Sequence, residues 1–170
     1  MKRLIFLAGL ALIGPTAAFA GSDANLDTCS DDSAVLWERI QSCTEIISSG
    51  AVAKGEALRN RGSAYADAEK FDLAIADETA AINLNPRDAI AYNLRAWAYL
   101  EAGKTGEALV DVNKGLLLDP RSADALDTRG RIYEAEGKLK EAAADFRKAL
   151  EIDPQHKDSK EALNNLETEK

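Results

Sequence analysis

A single histidine, His156, and two cysteines, Cys29 and Cys43, are almost all that this chain of 170 residues offers of the side chains on which catalysis and metal binding usually rest. Nucleophilic catalysis by Ser or Cys needs a base held against the nucleophile, and His156 lies in a Pro-Gln-His-Lys stretch that reads as a solvated loop. Two cysteines fourteen apart, with the histidine far away, cannot complete a tetrahedral zinc site. No glycine-rich phosphate loop, His-Glu-x-x-His helix or calcium-loop pattern occurs. Carboxylates are plentiful, but they stand at helical spacings beside Lys and Arg and read as an exposed, charge-laced face. These shortages predict a protein that is not an enzyme and carries no cofactor and no metal. Aromatics at 6% and only four prolines, against abundant Ala, Leu, Glu, Asp and Lys, favour helix over sheet.

Long apolar runs are also scarce. Lys2 and Arg3 precede an apolar run from Leu4 to Ile13, a Gly14-Pro15 break and then Ala18-Phe19-Ala20. A basic end, a short apolar middle and a small-x-small site make residues 1–20 a secretory signal peptide, cleaved after Ala20. A membrane anchor would need about 20 apolar residues, and this run is too short. Export to a bacterial periplasm follows, although secretion elsewhere would look similar. Removing Lys2 and Arg3 from the 21 bases leaves 19 against 29 acids, a formal charge of −10. Such a surface repels phosphate backbones and anionic lipid, so the expectation is no nucleic acid, no membrane insertion once residues 1–20 are removed, and cationic partners in preference to either. In an oxidising compartment Cys29 and Cys43 read as one disulfide, closing a loop worth about 3 kcal/mol by chain entropy. Two separate buried thiols are the alternative.

Self-comparison exposes a period of 34: Pro86, Pro120 and Pro154; Tyr65, Tyr99 and Tyr133; Ala74, Ala108 and Ala142; Gly62, Ala96 and Gly130. Apolar columns follow it too: Leu58, Tyr92 and Leu126; Ile82, Leu116 and Leu150; Leu84, Leu118 and Ile152. Within a unit the large and small residues recur three, four and seven apart, one face of a helix, and a second stripe starts after a break such as Gly137. Each unit is therefore two helices joined by a tight turn, closed by Asn-Pro or Asp-Pro, with Asp88 and Ser122 as caps for the next helix. Small columns let paired backbones approach closely, and a pair that cannot bury both faces must stack on another.

At these columns the sequence resembles the tetratricopeptide-repeat family. The resemblance implies an all-α fold, an α-solenoid wound as a right-handed superhelix, with three units at residues 55–88, 89–122 and 123–156. Residues 21–54 are an amino-terminal segment with a capping half-repeat, and 157–170 a carboxyl-terminal capping helix. The cap helix is expected over 33–49, with Leu36, Ile40, Cys43, Ile46 and Ile47 on one side and Cys43 turned towards Cys29 on the incoming strand. Ala162, Leu163 and Leu166 cover the last apolar face. The first unit departs from the pattern at Glu69, where the turn usually has Gly, and at Glu78, where an aromatic is usual, and is expected to be the least tightly packed.

The resemblance also implies a protein-interaction module whose partner lies against the first helix of every unit. The inward places are Glu56, Arg59, Ser63 and Asp67 in the first unit; Ile90, Asn93, Trp97, Leu100 and Glu101 in the second; and Asp124, Asp127, Arg131 and Glu134 in the third. Six acids face two bases, which points to a partner peptide or protein carrying apolar and basic residues. Trp97 either anchors that partner or packs against a neighbouring helix. Some family members grip the carboxylate end of a chaperone tail; the corresponding places here hold Arg59, Ser63, Leu94, Asp124 and Thr128, of which only Arg59 fits. A structural subunit of an envelope complex, stacking end to end, is the alternative, and the polar final helix speaks against it.

Overall fold

The computed structural model describes residues 25–168, and the expected signal peptide lies outside them. After a helical turn at residues 25–30, α1, come α2 (Leu36–Ser49), α3 (Lys54–Asp67), α4 (Phe71–Leu84), α5 (Ala89–Glu101), α6 (Thr105–Leu118), α7 (Ala123–Ala135), α8 (Leu139–Ile152) and α9 (Lys157–Thr168). No strand occurs among the described residues. The fold is an all-α solenoid of stacked helix pairs, α3 with α4, α5 with α6 and α7 with α8, each pair also packed on the next. Contacts of α3 with α5 and of α5 with α7 line the first helices up as one wall.

Helix boundaries follow from local chemistry. Asp88 accepts from the Ala91 amide and Ser122 from that of Ala125, both at 3.1 Å, capping α5 and α7. α2 starts three residues later than the period suggests, because Asp31 accepts from the amide of Ser33 at 2.9 Å and from its hydroxyl at 2.6 Å, holding a turn there. Cys29 sits on the helical α1 and not on an extended strand; its disulfide to Cys43 closes with the Cα atoms 4.9 Å apart in a fully buried setting. Buried Arg39 then ties the cap to the first unit, donating to Asp32 at 2.6 Å and to Asp67 at 3.0 Å.

The small columns are contact points. Ala57, Ala91 and Ala125 are 0–1% exposed, as are Ala74, Ala108 and Ala142. At Gly130 an added Cβ would lie 2.5 Å from the Phe146 ring, so the glycine is what lets α7 and α8 close over that aromatic. Gly62 stands in the same relation to the Glu78 carboxyl. One period on from Glu78 the position holds Val112 and then Phe146, both fully buried.

Each turn between paired helices uses the left-handed conformation, at Glu69 (φ 56°), Gly103 (φ 74°) and Gly137 (φ 73°). The amides that follow, of Lys70, Lys104 and Lys138, donate back to Tyr65, Tyr99 and Tyr133 carbonyls at 2.8 Å, so all three turns share one geometry. Glu69 alone carries a Cβ into it, at a steric cost of about 1–2 kcal/mol, partly offset because glycine loses more freedom on folding. Glu69→Gly is therefore expected to raise unfolding stability by roughly 0.5–1 kcal/mol. Urea unfolding monitored by circular dichroism measures this, and an unchanged or lowered midpoint contradicts it.

Candidate functional site: the inner wall of first helices

Helix α5 sits at the centre of the wall and α7 beside it. Between them a pocket of about 360 Å³ is lined by Trp97, Leu100, Glu101, Arg131, Glu134 and Ala135. Trp97 is half-buried, with the Arg131 guanidinium 5.9 Å from its ring centroid, and Leu100 rests on the central core. Trp97 thus packs against the neighbouring helix α7 through Arg131 and also lines the open pocket.

The structure divides the polar side chains of the wall into those already paired and those left over. Asp67 pairs with Arg39 at 3.0 Å, and Arg59 with Asp88 at 3.2 Å. Asp124 meets His156 Nε2 at 3.1 Å. Asp127 is buried beneath α9: it accepts from Ser159 Oγ at 2.7 Å and from Arg131 Nε at 2.8 Å. Burial is the largest single influence and works against the Arg131 charge, but the Asp127 hydrogen bond together with the negative charges of Asp127, Asp158 and Glu134 holds the guanidinium above its ordinary value. Both bases of the wall are therefore neutralised. Glu56, Glu101 and Glu134 make no ion pair among the described residues. Ile90 is 57% exposed, while Ser63 and Asn93 are half-buried. Asn93 Oδ1 is enclosed with no hydrogen-bond partner among the described residues, and Arg59 Nε meets Asp88 as an ion pair without hydrogen-bond geometry.

The structure departs from the sequence expectations at two points. His156 is not a solvated loop residue: its side chain is 12% exposed, and Nδ1 accepts from the Ser159 amide at 3.2 Å, capping α9. The carboxylates are not uniformly an exposed face, since Asp77, Asp111 and Asp145 are buried and each holds an arginine in a two-pronged fork. Arg61 donates to Asp77 at 2.7 and 2.8 Å, Arg95 to Asp111 at 2.6 and 2.9 Å, and Arg129 to Asp145 at 2.7 and 2.8 Å. These hydrogen bonds keep all three guanidinium groups above their ordinary value. The remaining nitrogen of each reaches the preceding second helix, at Thr44, Thr79 and Asn113, 2.9–3.0 Å away. A ladder of arginines thus stitches unit to unit behind the wall. The columns recur every 34 residues like the apolar ones, so the signal was present.

Two family profiles described as tetratricopeptide repeat match residues 79–110 and 123–156. The Arabidopsis OM64 TPR domain is 36% identical with a TM-score of 0.63, over 68% of this chain and 95% of that domain. This chain belongs to the tetratricopeptide-repeat family. The second TPR domain of human RPAP3, solved with the HSP70 peptide SGPTIEEVD, is 31% identical over 65% of this chain and 92% of that one, with a TM-score of 0.59. The first TPR of Spaghetti (RPAP3), bound to the HSP90 peptide SRMEEVD, is 27% identical over 70% and 94%, with a TM-score of 0.63. No curated protein matches the chain at a significant level.

Within this repeat framework Glu78 is the anomaly. It is 1% exposed, and both carboxyl oxygens lack a hydrogen-bond partner among the described residues. Burial pushes it up to about 9, with Arg59 pulling partly the other way. In the unfolded chain it ionises near 4.5. Between those values the native state holds a proton that the unfolded state gives up, so this group's contribution falls as pH rises through the window and levels off outside it. Glu78→Gln removes the titration. The variant is expected to gain on the native protein by more than about 1 kcal/mol between pH 5 and pH 8.5 in urea unfolding; parallel pH profiles for the two proteins contradict the assignment.

Proposed function

We propose that this protein is an exported interaction module that holds a partner peptide or protein carrying apolar and basic residues against the wall formed by α3, α5 and α7. The observation that carries this reading is the pocket around Trp97, in which an aromatic and Leu100 stand beside carboxylates that have no ion partner among the described residues. Desolvating such an aromatic supplies binding energy, while the charged rim selects the partner. The solved relatives support peptide binding as a mode, since two were determined with bound peptides.

Their peptides end in Glu-Glu-Val-Asp, and the chemistry here favours the opposite sign. Asp124 brings a negative charge to a place where a chaperone tail needs a positive one, and Thr128 is buried. Arg59, the one matching base, is already paired with Asp88. End-to-end assembly of an envelope subunit is disfavoured by the outer face of α9, where Lys160, Glu161, Asn164, Asn165 and Glu167 are all exposed. Stacking on that face would strip water from charges and amides without repayment.

Trp97→Ala is expected to weaken capture of the partner from its compartment at least tenfold while leaving the helical circular dichroism spectrum intact. Equal capture by the folded variant removes the groove from consideration. Export has its own check, which rests on residues 1–20 alone. Intact-mass analysis of protein recovered from the envelope fraction of a bacterial host is expected to show a chain starting at Gly21, and recovery with Met1 retained contradicts processing.

A further inference from the structure

The pocket beside Trp97 has a position in the fold that sharpens the kind of side chain it accepts. It lies where α5 ends at Glu101 and α7 ends at Ala135, so two helix carboxyl termini converge on it. Aligned peptide dipoles place partial negative charge at such ends, and basic residues commonly compensate it. Neither helix has a basic residue in its last turn. Glu101 and Glu134 add two full negative charges at the same place, and neither has an ion partner among the described residues.

The one cation present is already committed. Arg131 is anchored by Asp127, which is itself fixed by Ser159 of α9, so its charge goes first to a buried acid; Glu134 adds to its stabilisation at longer range without forming an ion pair with it. Its guanidinium covers one side of the Trp97 indole. Leu100, seated on the core, and the rest of the indole give the pocket an apolar floor. An apolar floor under a negatively charged mouth suits a side chain with a hydrocarbon stem and a positive head.

Resting on the groove reading above, we infer that this pocket is the specificity subsite, taking one Lys or Arg side chain of the partner. The stem of that residue lies along Leu100 and Trp97, and its charged head sits between Glu101 and Glu134. An apolar residue beside it in the partner covers the remaining indole surface. The two glutamates decide which segment binds, whereas Trp97 supplies affinity to any segment that fits.

Selection of random decapeptides displayed on phage, carried out on the purified protein, tests this directly. Three proteins are compared: the native chain, Trp97→Ala, and the double variant Glu101→Gln with Glu134→Gln, whose fold is verified by circular dichroism. The native pool is expected to be enriched in Lys or Arg next to Leu, Ile or an aromatic. In the double variant the basic enrichment disappears while the apolar enrichment persists, and a native-selected peptide binds roughly five- to tenfold more weakly. The Trp97→Ala pool loses both signatures. Basic enrichment that survives in the double variant, or a native pool rich only in apolar residues, overturns the cation subsite and leaves the groove standing. A native pool no different from the Trp97→Ala pool overturns the groove and the subsite together.

Discussion

A two-helix hairpin hides one side of each helix and leaves the other side wet, and that residual apolar surface is what binds every unit of this chain to the next. The close approach of the paired helices sets how much surface is left. Gly62 and Gly130 bring α3 and α7 down onto the side chains at 78 and 146, and the flush fit at those points aligns the first helices into a wall. Without the small columns the pairs would splay, the wall would lose its register, and the pocket between α5 and α7 would have no defined shape.

Behind the wall, the arginine forks solve a related problem. A second helix that presents an aspartate to its own first helix buries a charge, and such a charge is tolerable only when paired and hydrogen-bonded. Each fork does this with near-ideal geometry, and the spare guanidinium nitrogen bonds the preceding unit. Polar bonds therefore carry directionality across the same interfaces that apolar packing holds together. Glu78 shows the opposite case. Its carboxyl occupies the place of an apolar side chain, lacks partners, and stays uncharged because ionising it under Gly62 would cost more than holding a proton.

Pairing also decides what the wall presents to a visitor. A list of inward residues holds six acids and two bases, yet Asp67 and Asp127 are spent on Arg39 and on Arg131 with the α9 contact, and both arginines are balanced. What remains is a smaller set, Glu56, Glu101 and Glu134, with the exposed Asp124 hydrogen-bonded to His156, and with Trp97, Leu100 and Ile90. The negative character survives this subtraction but becomes local, concentrated where two helices end, and that concentration underlies the proposed preference for a cationic segment.

Much was legible before any coordinates. The 34-residue period, the Asn-Pro and Asp-Pro stops, the caps at Asp88 and Ser122 and the turn anomaly at Glu69 were readable because each depends on residues close in sequence, where helical spacing and backbone sterics act. The pairing of Cys29 with Cys43 belonged here too, being the one bridge two cysteines permit. The forks escaped notice although their columns obey the same period: an Arg and an Asp sixteen apart resemble any exposed charge until the turn between helices brings them face to face. The capping role of His156, the burial of Asp127 and the identity of the unpaired glutamates were likewise decided only by the tertiary structure. Each depends on which helix end lands on which surface, and a charge is free or spent according to neighbours as much as 32 residues away along the chain.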